Sequence, residues 1–275
     1  KRVIEFGAGA VTTKSTGIEP RAGHKAPSIL PWKHGLLNAV GLSNPGVSWM
    51  SNEIRQFRET SSGELIASVF GRTPEEFAEV AEQLLDARPG MIEANVSCPN
   101  VRSEFGDPFG ASIEKTVQIT RLLKNVTGKI PLSIKLTVHC PSIARMALEV
   151  EQAGADCVTA INTVGPGMLI DVNTRRPILS NQAGGLSGPA IFPIALRAVY
   201  QIRQVSKIPI IATGGVSTVD DALQLFMAGA SAVGAGTAVY SEGIEIFDRI
   251  NRELRAWMQQ KGISDLEEIR GTAHV

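Results

Sequence analysis

Short β-branched runs recur along the whole chain with helical stretches between them, and this alternation restricts the possible folds more than any other feature. The runs expected as strands are 10–16, 65–71, 91–97, 131–137, 157–163, 208–215 and 232–238. The clearest helices between them are expected at 74–87, 112–127, 142–153, 190–205, 219–228 and 244–261. Thr73-Pro74-Glu75-Glu76 is a strong helix start. Proline at the first helical position lacks an N–H that would have no partner there anyway, and early acids complement the helix dipole. Near-continuous apolar strands separated by helices specify a parallel sheet covered on both faces.

A (β/α)8 barrel typically needs about 250 residues, and the chain has 275. The expected fold is therefore α/β, one (β/α)8 TIM barrel domain over residues 1–275. Residues 165–189 are expected as an insertion at the barrel mouth, a small hairpin or lid, because a βα loop usually needs only about 2–6 residues. Residues 1–7 read as a helix closing on Gly7 or Gly9, with no strand before it and no initial methionine. The expectation is that the natural N-terminus, with the eighth strand, lies outside this sequence. A doubly wound open sheet is the runner-up, but no GxGxxG follows an early strand.

Formal net charge is zero, and no basic run is long enough to track nucleic acid. No apolar run approaches the roughly 20 residues of a membrane helix. The three cysteines, Cys98, Cys140 and Cys157, form no CxxC pair and no disulfide framework. That usage suits a reducing, cytoplasmic compartment and offers no ligands for an iron–sulfur cluster. The four histidines show no HxxxH or HExxH spacing, so no protein-bound catalytic metal is expected. Each reads as a surface or loop residue.

Polar residues collect at the expected C-terminal ends of the strands, the end on which barrel enzymes build their sites. The densest group is Ala94-Asn95-Val96-Ser97-Cys98-Pro99-Asn100. It reads as a strand running into a tight turn, with a thiol flanked by amide side chains. Amides can hold a planar polar ligand by its edges while the thiol acts as acid, base or nucleophile on its face. Lys14 with Ser15, Lys135, and Asn162 with Thr163 occupy similar places. Lysines near the ends of apolar strands are hard to explain structurally, because an unpaired buried charge is costly. A lone cysteine is more often a buried apolar filler, and a lone asparagine a turn residue; it is the convergence that argues for a site.

The last two strands end in Thr213-Gly214-Gly215 and Gly234-Ala235-Gly236-Thr237. Glycines there let backbone N–H groups approach an anion, the usual phosphate site of barrel enzymes. Gly188-Pro189, just before a helix, would suit the same phosphate. FMN, a sugar phosphate or PLP would each satisfy this signal.

These residues resemble the class 1 dihydroorotate dehydrogenases along nearly the whole chain. The motifs that carry the resemblance are Thr13-Lys14-Ser15, residues 38–46 from Asn38, Asn95 to Asn100, Ile161-Asn162-Thr163, and residues 184–190. The resemblance implies FMN-dependent oxidation of (S)-dihydroorotate to orotate in de novo pyrimidine (UMP) biosynthesis. Cys98 would be the general base at substrate C5, with Lys14 beside the substrate carboxylate and hydride passing to N5 of the flavin. Asn38, Asn95, Asn100, Asn162 and Thr163 would bind the pyrimidine ring. Lys14, Ser15, Asn95, Lys135, Ile161, Gly188, Gly214, Gly215, Gly236 and Thr237 would contact FMN. Residues 101–110 would form a lid. Residues 38–46 and 184–190 look more like the NAD-linked type B. That implies a homodimer working with a second subunit that carries FAD and a 2Fe–2S cluster.

Three rivals remain. The pyrimidine-reducing domain of dihydropyrimidine dehydrogenase resembles residues 95–99 and 211–215, but tends to carry histidine where this chain has Asn100. Dihydrouridine synthases act on tRNA, which a neutral chain does not suit. A flavin-free phosphate-binding barrel explains the glycines and leaves Cys98 with its asparagines unexplained.

Overall fold

The computed structural model describes residues 1–96 and 108–274. Cys98 and Asn100 lie outside the described residues, as does most of the expected lid. The strands are β1 (Ala10–Thr12), β2 (Ile29–Trp32), β3 (Gly35–Asn38), β4 (Glu64–Val69), β5 (Met91–Asn95), β6 (Leu132–Leu136) and β7 (Cys157–Ala160). They continue with β8 (Val164–Gly167), β9 (Ile170–Asp171), β10 (Arg176–Pro177), β11 (Gly184–Ser187), β12 (Ile210–Thr213) and β13 (Ala232–Gly234). The helices are α1 (Arg2–Glu5), α2 (Val47–Thr60), α3 (Pro74–Leu85), α4 (Ile113–Thr127) and α5 (Ile143–Gln152). The C-terminal half adds α6 (Phe192–Val205), α7 (Val219–Ala228), α8 (Thr237–Glu242) and α9 (Ile246–Lys261).

The seven expected strands form one parallel sheet in the order β1-β4-β5-β6-β7-β12-β13. It is the α/β barrel architecture, with all six expected helices in place. Several strands stop two to four residues earlier than expected: β5 at Asn95, β7 at Ala160, β1 at Thr12 and β13 at Gly234. Just beyond β7 and β13 lie Asn162, Thr163, Gly236 and Thr237, which line the barrel mouth. Gly236 and Thr237 are accordingly not strand residues. Gly236 precedes α8, and Thr237 begins it.

Alternation along the strands gives the sheet two unlike faces. Ala67, Val69, Ile92, Ala94, Ile134, Leu136, Val158 and Ala160 are buried in the apolar core beneath the helices. The other face carries Ser68, Glu93, Ser133 and Thr159, all buried. The strands are therefore not apolar throughout, as expected from sequence, but apolar outward and polar inward. Thr159 Oγ1 donates to Glu93 Oε2 at 2.8 Å from two strands away. Strands two apart in a flat sheet lie about 10 Å from each other, so this contact needs a long side chain on a sheet curled towards its inner face.

The helices follow from their periodicity. In α3, Phe77, Val80, Ala81 and Leu84 form the buried stripe, and the Thr73 hydroxyl accepts the Glu76 N–H. Phe77 also meets Phe109 edge to face at 5.8 Å. Helix α2 buries Val47, Met50, Ser51 and Ile54 in the same spacing.

A second sheet, antiparallel in the order β2-β3-β11-β8, was not expected from sequence. Residues 184–187, within the expected insertion at the mouth, are its third strand. Gly184 and Gly185 fit there because a Cβ on either would collide with Asn38 or Thr163. Within the expected insertion, β9 and β10 form a small hairpin.

Candidate active site

The C-terminal ends of β6, β7, β12 and β13 open on one cavity of about 420 Å³, within the usual range of small-ligand sites. It gathers nine residues singled out from the sequence: Lys135, Ile161, Asn162, Thr163, Gly188, Gly214, Gly215, Gly236 and Thr237. The segment around β2 and β3 contributes Trp32 and His34, whose rings meet edge to face at 5.1 Å. His34 is thus a cavity residue as well as an exposed loop residue.

The glycine turns are set by geometry. Gly188, Gly214 and Gly215 have φ of +92°, +130° and +85°, which side chains rarely adopt. A Cβ on Gly215 would lie 2.8 Å from the Gly188 carbonyl oxygen and 2.9 Å from the Phe192 nitrogen. Two turns and the start of α6 therefore meet backbone to backbone. Nothing lies within 4 Å of a Cβ built on Gly236. The Thr237 hydroxyl donates to Ser187 Oγ at 2.7 Å. Asn162 Oδ1 accepts the Thr163 N–H at 2.9 Å, which fixes this turn at the end of β7.

Beside the cavity, a polar layer crosses the inner face. Asn95 Nδ2 donates to Ser15 Oγ at 2.9 Å, and Ser15 Oγ lies 2.9 Å from Ser68 Oγ. Ser68 donates to Glu93 Oε1 at 3.2 Å. Lys135 Nζ stands 3.8 Å from the same oxygen and is the link to the cavity. Glu93 is 2% exposed. Lone buried carboxylates are rare and need partners; this one has two hydroxyls and an ammonium. Sequence reading missed Glu93 and Ser68. The available signal was a carboxylate inside an apolar strand, the argument applied to Lys135.

The remaining expected residues fall elsewhere. Lys14 is exposed, not buried as its place in the sequence suggested. Asn38 does not line the cavity; it lies in β3, where its amide donates to the Gly185 carbonyl at 3.3 Å. Among the described residues, Ser15 and Asn95 are joined to the cavity through the polar layer. Val96 and Gly110, which flank the residues around Cys98, are tied by the Gly110 N–H donating to the Val96 carbonyl at 2.7 Å. The other two thiols are poor bases. Burial pushes Cys157 up to about 11 and raises Cys140 as well.

The model of the dihydroorotate dehydrogenase family matches residues 1–258. The chain belongs to this family. Among curated relatives, the dihydroorotate dehydrogenase B (NAD(+)) catalytic subunit of Methanothermobacter thermautotrophicus is 43% identical over 273 residues, 99% of this chain and 89% of that protein. The protein of the same name from Methanosarcina mazei is 44% identical over 270 residues, 98% of this chain and 85% of its own length. That of Pyrococcus abyssi is 43% identical over 273 residues, 99% of this chain and 89% of its own. No helix among the described residues is long and apolar enough to cross a membrane.

Proposed function

We propose that this chain is the catalytic subunit of an NAD-linked dihydroorotate dehydrogenase, oxidising (S)-dihydroorotate to orotate in pyrimidine biosynthesis with FMN as immediate acceptor. The observation that carries this reading is the convergence of Lys135, Asn162, Thr163 and the three glycine turns on one cavity. FMN fits the residues present. Gly188, Gly215 and Gly236 line the cavity with backbone, and nothing lies within 4 Å of a Cβ built on Gly236. Thr237 adds a hydroxyl and Lys135 a positive charge to the same walls. When bound, FMN supplies a two-electron acceptor for hydride.

In this reading Gly188, Gly214, Gly215, Gly236 and Thr237 hold the phosphate. Ile161 packs against the ring system, and Lys135 places positive charge where negative charge develops. Ser15 and Asn95 complete the flavin side of the site. Asn38, Asn95, Asn100, Asn162 and Thr163 match the amide edges of the pyrimidine, and Lys14 faces its carboxylate. Cys98 removes the proton from C5. The segment 101–110 excludes water. The chain acts as a homodimer in the cytoplasm, as one domain over 1–275 with 165–189 at the mouth. A second subunit carrying FAD and a 2Fe–2S cluster passes electrons to NAD⁺.

The test is an anaerobic visible spectrum of the purified flavoprotein before and after dihydroorotate. A flavin band that bleaches supports the reading. A band that ignores dihydroorotate but bleaches in reverse assays with dihydropyrimidines moves the substrate to that class. A protein that stays colourless after incubation with FMN overturns the flavin assignment.

A further inference from the structure

The polar layer on the inner face has a direction, and its source is Glu93. An ionised carboxylate can only accept hydrogen bonds. The single proton of Ser68 is committed to Glu93 Oε1 at 3.2 Å. Ser68 can then only accept across its 2.9 Å contact with Ser15, so the Ser15 proton is committed to Ser68. Ser15 in turn can only accept from Asn95, 2.9 Å away. The amide of Asn95 must therefore turn its NH₂ towards Ser15. Its Oδ1 is buried and has no hydrogen-bond partner among the described residues. A buried acceptor left unpaired costs stability unless a ligand donor meets it.

We infer that Glu93 is a positioning residue: through the relay Ser68–Ser15 it fixes the amide orientation of Asn95, so that this strand end offers an acceptor to a ring N–H. The ligand class is a planar heterocycle with an N–H edge. This rests on the proposed function for its ligand, but not for its geometry. Thr159, donating to the other carboxylate oxygen at 2.8 Å, and Lys135, 3.8 Å from the first, hold the carboxylate in place from the opposite side. Glu93 acts on the site through Asn95 without touching the cavity.

Two measurements on the holoenzyme test this. Ser68→Ala cuts the relay and leaves Glu93 and Lys135 in place. Orotate, titrated against the flavin band, should bind about fivefold more weakly, the worth of one hydrogen bond. Adding Ser68→Ala to Asn95→Ala should weaken binding no further than Asn95→Ala alone. Unchanged binding in Ser68→Ala, or full additivity, would overturn the inference. The second measurement needs no substrate. Asn95→Asp presents an acceptor to a serine whose proton is already committed. It should therefore lower Tm by about 3 °C more with Ser68 present than in the Ser68→Ala background, where Ser15 is free to donate. Equal losses in both backgrounds would sink the relay. Should the wild-type flavin band ignore orotate, the functional reading falls and the melting comparison alone decides the inference.

Discussion

Burial keeps the thiols of Cys140 and Cys157 protonated, Cys157 the more strongly. Cys157 opens β7 at 4% exposure, in a desolvated place next to Glu93 and Asp156. Its thiol titrates near 9.0 when exposed and about 11 when folded. The folded state therefore favours the protonated form. That contribution is complete below pH 9 and is lost as pH rises to 11, on the order of 2–3 kcal/mol. Urea unfolding between pH 8.5 and pH 11 should show a shallower decline for Cys157→Ala than for wild type. Cys98 has the opposite task in the proposed reaction, to give up its proton readily. Cys98→Ser should keep FMN and slow flavin reduction by several powers of ten at neutral pH, since a hydroxyl is a far weaker acid. Stopped-flow bleaching by dihydroorotate reads this directly, and a full-rate variant would remove Cys98 from the role. Lys135→Ala removes the charge shared by the cavity and Glu93. FMN affinity should fall by about tenfold or more, measured by fluorescence of the released flavin.

At the scale of elements, the site depends on where strands end. Asn162, Thr163 and Thr237 follow their strands by two or three positions, whereas Lys135 lies within β6. The turn after β12 is the most constrained. Gly215→Ala combines a left-handed φ of +85° with a Cβ 2.8 Å from Gly188 O, which is backbone and cannot swing aside. It should cost about 2 kcal/mol or more and release FMN, visible as a lower Tm and a colourless protein. Gly236→Ala meets open space and should retain the fold. The elements missed from sequence, β2, β3, β8 and β11, are only four residues each and contain Pro31, Pro166 and several glycines. Such segments carry turn signals rather than strand signals, and they become strands only because they pair with one another. Helix α2 was legible in principle, since Val47, Met50, Ser51 and Ile54 repeat at helical spacing.

The whole molecule is a parallel barrel-type sheet with a small antiparallel sheet over one side of its mouth. That arrangement brings residues from Ser15 to Thr237 to one end of the fold. In the proposed reading, electron transfer beyond the flavin needs the second subunit. The purified chain alone, reconstituted with FMN, should reduce a dye acceptor with dihydroorotate and fail to reduce NAD⁺. Turnover of NAD⁺ should appear only on adding the electron-transfer subunit. NAD⁺ reduction by the isolated chain would overturn the two-subunit proposal.

The sequence by itself determined the barrel architecture, because alternation of β-branched and helical segments is a local signal that survives without tertiary contacts. It also determined the glycine turns and the polar strand ends that line the cavity, since these residue types are unusual in those places. The tertiary structure alone decided which of them meet. Asn38 joins the small sheet through Gly185, while Lys135 joins both the cavity and Glu93. The link from Asn95 through Ser15 and Ser68 to Glu93 joins β5, β4 and the segment after β1 across 80 residues of chain. No periodicity encodes such a link: each member looks like an ordinary polar residue until the sheet curls and buries Ser68 and Glu93.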